Sequence, residues 1–185
     1  ETITSVYGDP NYYTYWIDNT HPSAIDTGNP RGTPARPRLT IPGNLNLGPG
    51  DVVQIRGGPY TFVFDRFYIY GQGTVNQPIF ISGIGAATVP VLNKRVHFPN
   101  AQYIIIEGVK MQNDAGIEFR PLADGVEIHH NAVRYTEIAG SGTVNGGGSF
   151  AAANPIYNTP IHDIVFYKNV GHDMGQWDAP IENDI

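Results

Sequence analysis

The sequence predicts an all-β chain wound as a right-handed, single-stranded parallel β-helix. Three observations lead there. Short β-branched runs recur at residues 52–55, 78–83, 103–108, 126–131 and 164–169. Each run carries two apolar residues at i and i+2, and period-two alternation sends such pairs to one face. A residue suited to a sharp corner closes each run. With Ile55, Ile81, Ile106, Ile128 and Phe166 taken as equivalent, the steps are 26, 25, 22 and 38 residues. The last step holds a Gly/Ser/Ala-rich insertion, residues 140–154, and shortens to 23 without those 15 residues. Near-constant spacing is what stacked units produce.

Residues 1–36 differ in character. Tyr7, Tyr12, Tyr13, Tyr15 and Trp16 precede a loop dense in Asn, Asp, Pro and Gly. They read as an aromatic cap over the open end of the first coil, which terminal repeats require; a sugar-binding platform is the alternative. Coils then occupy 37–185. The first enters through Gly48-Pro49-Gly50-Asp51 and leaves through Gly57-Gly58. The inward pairs are Val53/Ile55, Ile79/Ile81, Ile104/Ile106, Val126/Ile128 and Ile164/Phe166. Corners fall at Gly57, Gly83 and Gly108, then at His130 and Lys168, the last two followed by Asn131 and Asn169. Gly and Asn tolerate a left-handed backbone at little cost. Stacking gives each strand partners above and below at ~4.8 Å. An antiparallel sandwich also offers short strands between turns, but near-equal lengths and same-register pairs favour the coil. The C-terminal residues 178–185 show no polar cap, so the expected end is open or truncated, or covered by another copy stacked end to end.

Composition narrows the partners. Eleven basic against 17 acidic residues give −6, with no Lys/Arg run, which argues against nucleic acid. A polyanionic sugar would be repelled at long range unless bound cations or a local basic column intervened. No segment has the length and apolarity of a membrane-spanning helix. The absence of Cys excludes disulfides and thiolate metal sites. Gly (22), Pro (15) and Tyr (11) are abundant, as expected of strands joined by many turns.

Residues 15–19, 26–34, 37–42 and 50–60 together (Tyr-Trp-Ile-Asp-Asn; Asp-Thr-Gly-Asn-Pro-Arg-Gly-Thr-Pro; Pro-Arg-Leu-Thr-Ile-Pro; Gly-Asp-Val-Val-Gln-Ile-Arg-Gly-Gly-Pro-Tyr) resemble the opening of secreted bacterial β-helix proteins of the pectate-lyase-like superfamily. That superfamily includes polysaccharide lyases and glycoside hydrolases. The resemblance covers roughly the first third of the chain and is specific for fold. Residues 126–131, Val-Glu-Ile-His-His-Asn, look like its generic coil repeat. Pro42-Gly43-Asn44 departs from the pattern, because relatives often begin a capping helix there and Pro and Gly oppose one. The resemblance implies an extracellular, carbohydrate-active protein with a polysaccharide as partner.

Two reactions suit that expectation. A lyase needs a base and a cation or Arg to neutralise a uronate carboxylate; candidate bases and partners are His129, His130, Arg134, Lys168 and Tyr167. A hydrolase needs two carboxyl groups flanking the bond, for which Glu107 and Glu127 stand on successive outward positions. Arg56, Phe80 and Trp177 are candidate substrate contacts. Acids late in the chain, Asp163, Asp173, Asp178, Glu182 and Asp184, could supply oxygen ligands to Ca²⁺, although each singly reads as a turn residue. Expected outward columns are Arg56, Ser82, Glu107, His129, Tyr167 and Gln54, Phe80, Ile105, Glu127, Val165. The second is too apolar for water and calls for a ligand, a partner or the 140–154 insertion to cover it. His162-Asp163 and His172-Asp173 pair imidazole with carboxylate in sequence, but neighbours in a regular strand point to opposite faces. A non-catalytic carbohydrate-binding or adhesive β-helix and a filament-forming structural protein are the competing classes.

Overall fold

The structure, a computed structural model, describes residues 12–61, 66–113, 115–123, 125–140, 152–153 and 159–173. Among them it is all-β, with fifteen strands in three parallel sheets and no helix. The first sheet has six strands: β1 (Tyr15–Asp18), β3 (Val52–Arg56), β5 (Ile79–Ser82), β8 (Ile104–Glu107), β11 (Ile128–Arg134) and β14 (Ile161–Tyr167). The second has five, in the order β13 (Ala152–Ala153), β10 (Ile117–Phe119), β7 (Arg95–Phe98), β4 (Arg66–Gly71) and β2 (Asn44–Leu47). The third has β15 (Val170–His172), β12 (Glu137–Ala139), β9 (Lys110–Met111) and β6 (Val91–Leu92). From β5 onward the chain visits the six-, four- and five-stranded sheets in constant rotation.

All three sheets send alternate residues into one core. Val53, Ile81, Ile106 and Val133 line up from the first sheet, Phe67, Val96 and Ile117 from the second, and Leu92, Met111 and Ile138 from the third. All belong to one buried cluster. Like residues therefore stack on like; Phe98 and Phe119 lie 5.1 Å apart, nearly parallel. Burying each such side chain contributes about 1.5–3 kcal/mol.

The register differs from the sequence expectation at two of the five runs. Val53, not Ile55, aligns with Ile81, and Val133, not Ile128, aligns with Ile106. The steps along Val53, Ile81, Ile106, Val133 and Phe166 are 28, 25, 27 and 33 residues. Ile55 and Val53 have the same parity and are both buried, so alternation could not separate them. At the fourth run the cause is local: His130 has φ 54°, and this left-handed residue resets the alternation. Ile128 and Asn131 thus both point inward three residues apart. The outward columns become Trp16, Gln54, Ser82, Glu107, Arg134, Tyr167 and Val52, Phe80, Ile105, Ala132, Val165.

Residues 12–36, expected as cap and loop, contribute a strand of their own. β1 pairs with β3, with Tyr15 and Ile17 inward. Asp26 fastens the following loop by accepting from the backbone N–H groups of Leu39 and Thr40 and the Thr40 hydroxyl. It also pairs with Arg38 at 3.1 Å. Residues 1–11, most of the 140–154 insertion, and Trp177, Asp178, Glu182 and Asp184 lie outside the described residues.

Candidate functional site

A left-handed residue stands just before β8, Tyr103 (φ 52°), and at the third position of β11 and β14, His130 (φ 54°) and Asp163 (φ 54°). The residue after each, Ile104, Asn131 or Ile164, is in register with the others. Asn131 is the anchor of this corner. Buried at an aliphatic position, it accepts from Ile104 N–H at 2.9 Å and donates Nδ2 to Ala101 O at 2.9 Å. The three left-handed side chains are thereby stacked on the outer surface. Tyr103 and His130 rings lie 4.8 Å apart and near-parallel, and His130 Nδ1 stands 3.6 Å from Asp163 Oδ2.

Beside this corner lies a groove of about 490 Å³, lined by Val75, Pro78, Tyr103, Ile105, His130, Ala132, Asp163 and Val165 among others. Its apolar wall is the column expected to need cover. Phe80 is buried, Ile105 and Ala132 are half-buried, and Val165 is 54 % exposed. Ala132 stands where a bulkier residue would fill the space between Ile105 and Val165. The groove thus has an aliphatic and aromatic wall with one imidazole and one carboxylate at its edge, the composition of a small-ligand site.

A second tier of polar groups holds that edge. His162 donates Nδ1–H to Asp163 Oδ2 at 2.7 Å and Nε2–H to Glu127 Oε1 at 2.6 Å. The left-handed Asp163 places its side chain on the same side as its neighbour, which a regular strand would forbid. Hydrogen bonding to Glu127 and then Asp163 raises the His162 imidazole above its ordinary value. The same bonds lower both carboxyl groups. His129 stacks on His162 at 5.4 Å, and its Nδ1 lies 2.7 Å from His130 Nδ1. One of those two facing nitrogens must be the donor and the other the acceptor. Asp163 therefore presents to the groove a carboxylate whose ionised form His162 favours.

The remaining sequence candidates fall elsewhere. Glu107 and Glu127 do not flank a common point. Glu107 is in register with Arg134, seven residues beyond Glu127 and past the left-handed corner at His130, so the two acids stand at opposite ends of that stretch of chain. Glu107 is also 1 % exposed and accepts from Arg134 Nε at 2.8 Å. Lys168 Nζ sits over the Tyr167 ring at 5.1 Å, at the exit end of the same strand. Arg56 and Phe80 are buried, Arg56 with its guanidinium 5.0 Å from the Trp16 ring. Desolvation pulls Arg56 below its ordinary value.

Asp163 and Asp173 belong to different sheets. Asp173 follows β15, accepts at 2.7 Å from His172 Nδ1, and is served by the same left-handed geometry (φ 54°). Among the described residues no group of three or more His, Asp and Glu side chains is placed to hold a metal ion. Tyr103, His162, Val75 and Pro78 were not among the sequence candidates. Equivalence of positions 103, 130 and 163 would have found Tyr103, but only with the register known. No protein-family model matches the chain, and no curated protein or solved structure matches it.

Proposed function

We propose that the chain is a right-handed parallel β-helix of the pectate-lyase-like kind, secreted, which binds a polysaccharide in the Tyr103–His130–Asp163 groove and cleaves it by elimination. The observation that carries the reading is the juxtaposition of a ring, an imidazole and an ionised carboxylate along an apolar groove. Constant rotation through three parallel sheets supports the winding. Tyr103 offers a flat face to a sugar ring. His130 acts as base, taking the proton from the carbon beside a uronate carboxylate whose charge a Ca²⁺ held by Asp163 would neutralise. The glycosidic C–O bond one carbon further on then breaks, leaving a C=C bond and a leaving oxygen that takes a proton from water. Elimination is preferred to hydrolysis because the groove is lined by one carboxylate, Asp163, where hydrolysis calls for two.

Incubation of the protein with polygalacturonate, alginate and neutral glucans, with and without Ca²⁺ or chelator, tests this. The expected result is a rise in unsaturated-product absorbance on one uronate polymer, abolished in His130→Ala. Retention of polymer without product would convert the reading to a carbohydrate-binding protein, and neither retention nor product would end it. Assembly is a second reading with an observation of its own. Phe166 occupies an inward position of β14 yet is 47 % exposed, so another copy could add a strand there. Concentration-dependent sedimentation distinguishes it.

A further inference from the structure

The outer face of the five-stranded sheet carries a cluster that the groove does not use. Tyr68, His97 and Glu118 are in register across β4, β7 and β10, and Arg66 is in register with Arg95. Phe67, Val96 and Ile117 between them point into the core. Three guanidiniums surround the buried Glu118 carboxylate: Arg66 at 3.4 Å, Arg120 at 3.7 Å and Arg95 at 3.9 Å. The face therefore holds a local surplus of positive charge on a chain of net charge −6. Arg95 and Arg120 stand farther from Glu118 than the ~2.7–2.9 Å of a committed charge-assisted hydrogen bond. Both keep about a third of their side-chain surface open to solvent, 36 % each.

Two buried polar atoms at this place have no hydrogen-bond partner, Arg120 Nε and His97 Nδ1. His97 is 1 % exposed, and desolvation holds its imidazole below the ordinary value. Its Nε2 lies 2.7 Å from the Arg120 carbonyl oxygen and so carries the proton, which leaves Nδ1 a bare acceptor. An unused donor and an unused acceptor thus lie beside arginine forks that match planar or tetrahedral oxyanions. Tyr68 and Tyr70 flank them as a near-parallel ring pair with centroids 6.4 Å apart, both half-buried.

We infer that this face is a second binding site, which takes a sugar bearing an oxyanion, a carboxylate or a sulfate ester, with Arg95 and Arg120 on the anion and Tyr68 and Tyr70 against the ring. The inference rests on the polysaccharide reading for the polymer, and on this face alone for the charge. The face lies on a different sheet from the groove. It supplies the local basic column without which an acidic polymer would be repelled by the net charge.

Titration calorimetry of the full chain with polygalacturonate, dextran sulfate and uncharged dextran tests it. The expected result is binding of at least one charged polymer and not of dextran, weakening as salt is added. Polygalacturonate alone would identify a carboxylate, and dextran sulfate alone a sulfate. Arg95→Gln with Arg120→Gln should weaken that binding at least tenfold, and in the Tyr103→Ala with His130→Ala background, which removes the groove's own contribution, the binding that remains should still be lost with the two arginines. Loss in the groove variant alone, equal binding of dextran, or no binding of either charged polymer would overturn the inference. Should the Gln variant not melt cooperatively, Arg95→Lys with Arg120→Lys keeps the charge near Glu118 but removes the forks. A loss of several-fold is expected there, and unchanged affinity would again overturn the inference. Failure of the elimination assay leaves all these readouts intact, so the two proposals fail separately.

Discussion

The strands of the six-stranded sheet are bracketed by two corners built alike and furnished differently. The entry corner has Tyr103, His130 and Asp163 in left-handed conformation; the exit corner has Gly108, Tyr135 and Lys168. In each an asparagine spans the turn beneath it. Asn131 serves the entry, and Asn169 serves the exit by accepting from Thr136 N–H at 3.0 Å and donating to Val133 O at 2.8 Å. The entry corner then carries imidazoles and carboxylates beside a groove. The exit corner carries a Tyr135–Tyr167 edge contact and Lys168 over Tyr167. The backbone device is constant, and the outward side chain is what varies. The proposed function rests on titratable groups at entry positions whose direction the backbone already dictates.

The largest effect is expected midway, where both corners depend on the same core. Ile106→Ala should cost about 2–5 kcal/mol in urea unfolding and weaken both corners together; an effect confined to one would show that they are not mechanically shared. Asn131→Ala comes next. It strands Ile104 N–H and Ala101 C=O in the interior, at about 1–3 kcal/mol for each group. Asn169→Ala should cost about half as much, because its surroundings are only half-buried. The entry variant alone should also lose formation of unsaturated product from a uronate polymer.

Left-handed side chains separate the corners more finely. An L-residue there is disfavoured by roughly 1–2 kcal/mol, and glycine gives back about 0.5–1 kcal/mol in unfolded-chain entropy. Lys168→Gly should thus fall on the stabilising side by about 1 kcal/mol or less, with product formation unchanged. His130→Gly should be similar in stability and should abolish formation of unsaturated product from a uronate polymer. Equal product formation by the two variants would erase the functional distinction between the corners.

The smallest effect is in pH. His162 and His172 are both raised by paired acids, and Glu127, Asp163 and Glu137 are lowered. The imidazole contribution is complete below the ordinary His value of about 6.5 and disappears as pH rises through the raised folded-state value. The carboxylate contribution is complete above about 4.3 and disappears as pH falls through the lowered values. Tm should therefore be highest between these limits and decline on each side. His162→Asn should flatten the alkaline decline more than His172→Asn, since Lys110 already neutralises Glu137 from 2.5 Å. The reverse order would mean that Lys110 does not distinguish the two acid–imidazole–acid sets.

Much of the scaffold was legible because it is local. Ile79/Ile81 and Ile104/Ile106 alternate as their sequence says, and Gly57, Gly108, His130 and Lys168 are left-handed where corners were expected. Gly83 was legible for a different reason than the true one. Its φ is not positive, but a Cβ there would meet the Gly108 carbonyl oxygen at 2.2 Å. Asn131 and Asn169 were marked as corner residues, whereas their amides turn inward to satisfy the coil below. The site was far less legible. Glu127 and His162 are 35 residues apart, and nothing in either segment announces the other until the register is known. That register turned on the backbone of His130, whose left-handedness costs energy that the Asn131 hydrogen bonds offset.

Parallel pairing alone also sets an order of assembly. β3 finds its later neighbour, β5, only when residues 79–82 have been made, and β8 finds β11 only when residue 128 and those beyond it are available. Each strand leaving the ribosome thus has a template already laid and waits for the following lap of chain to cover its far edge. Growth by accretion onto a finished layer avoids the need to close long loops around an unformed centre. Such a molecule is expected to acquire its groove late, when Asp163 arrives over His130.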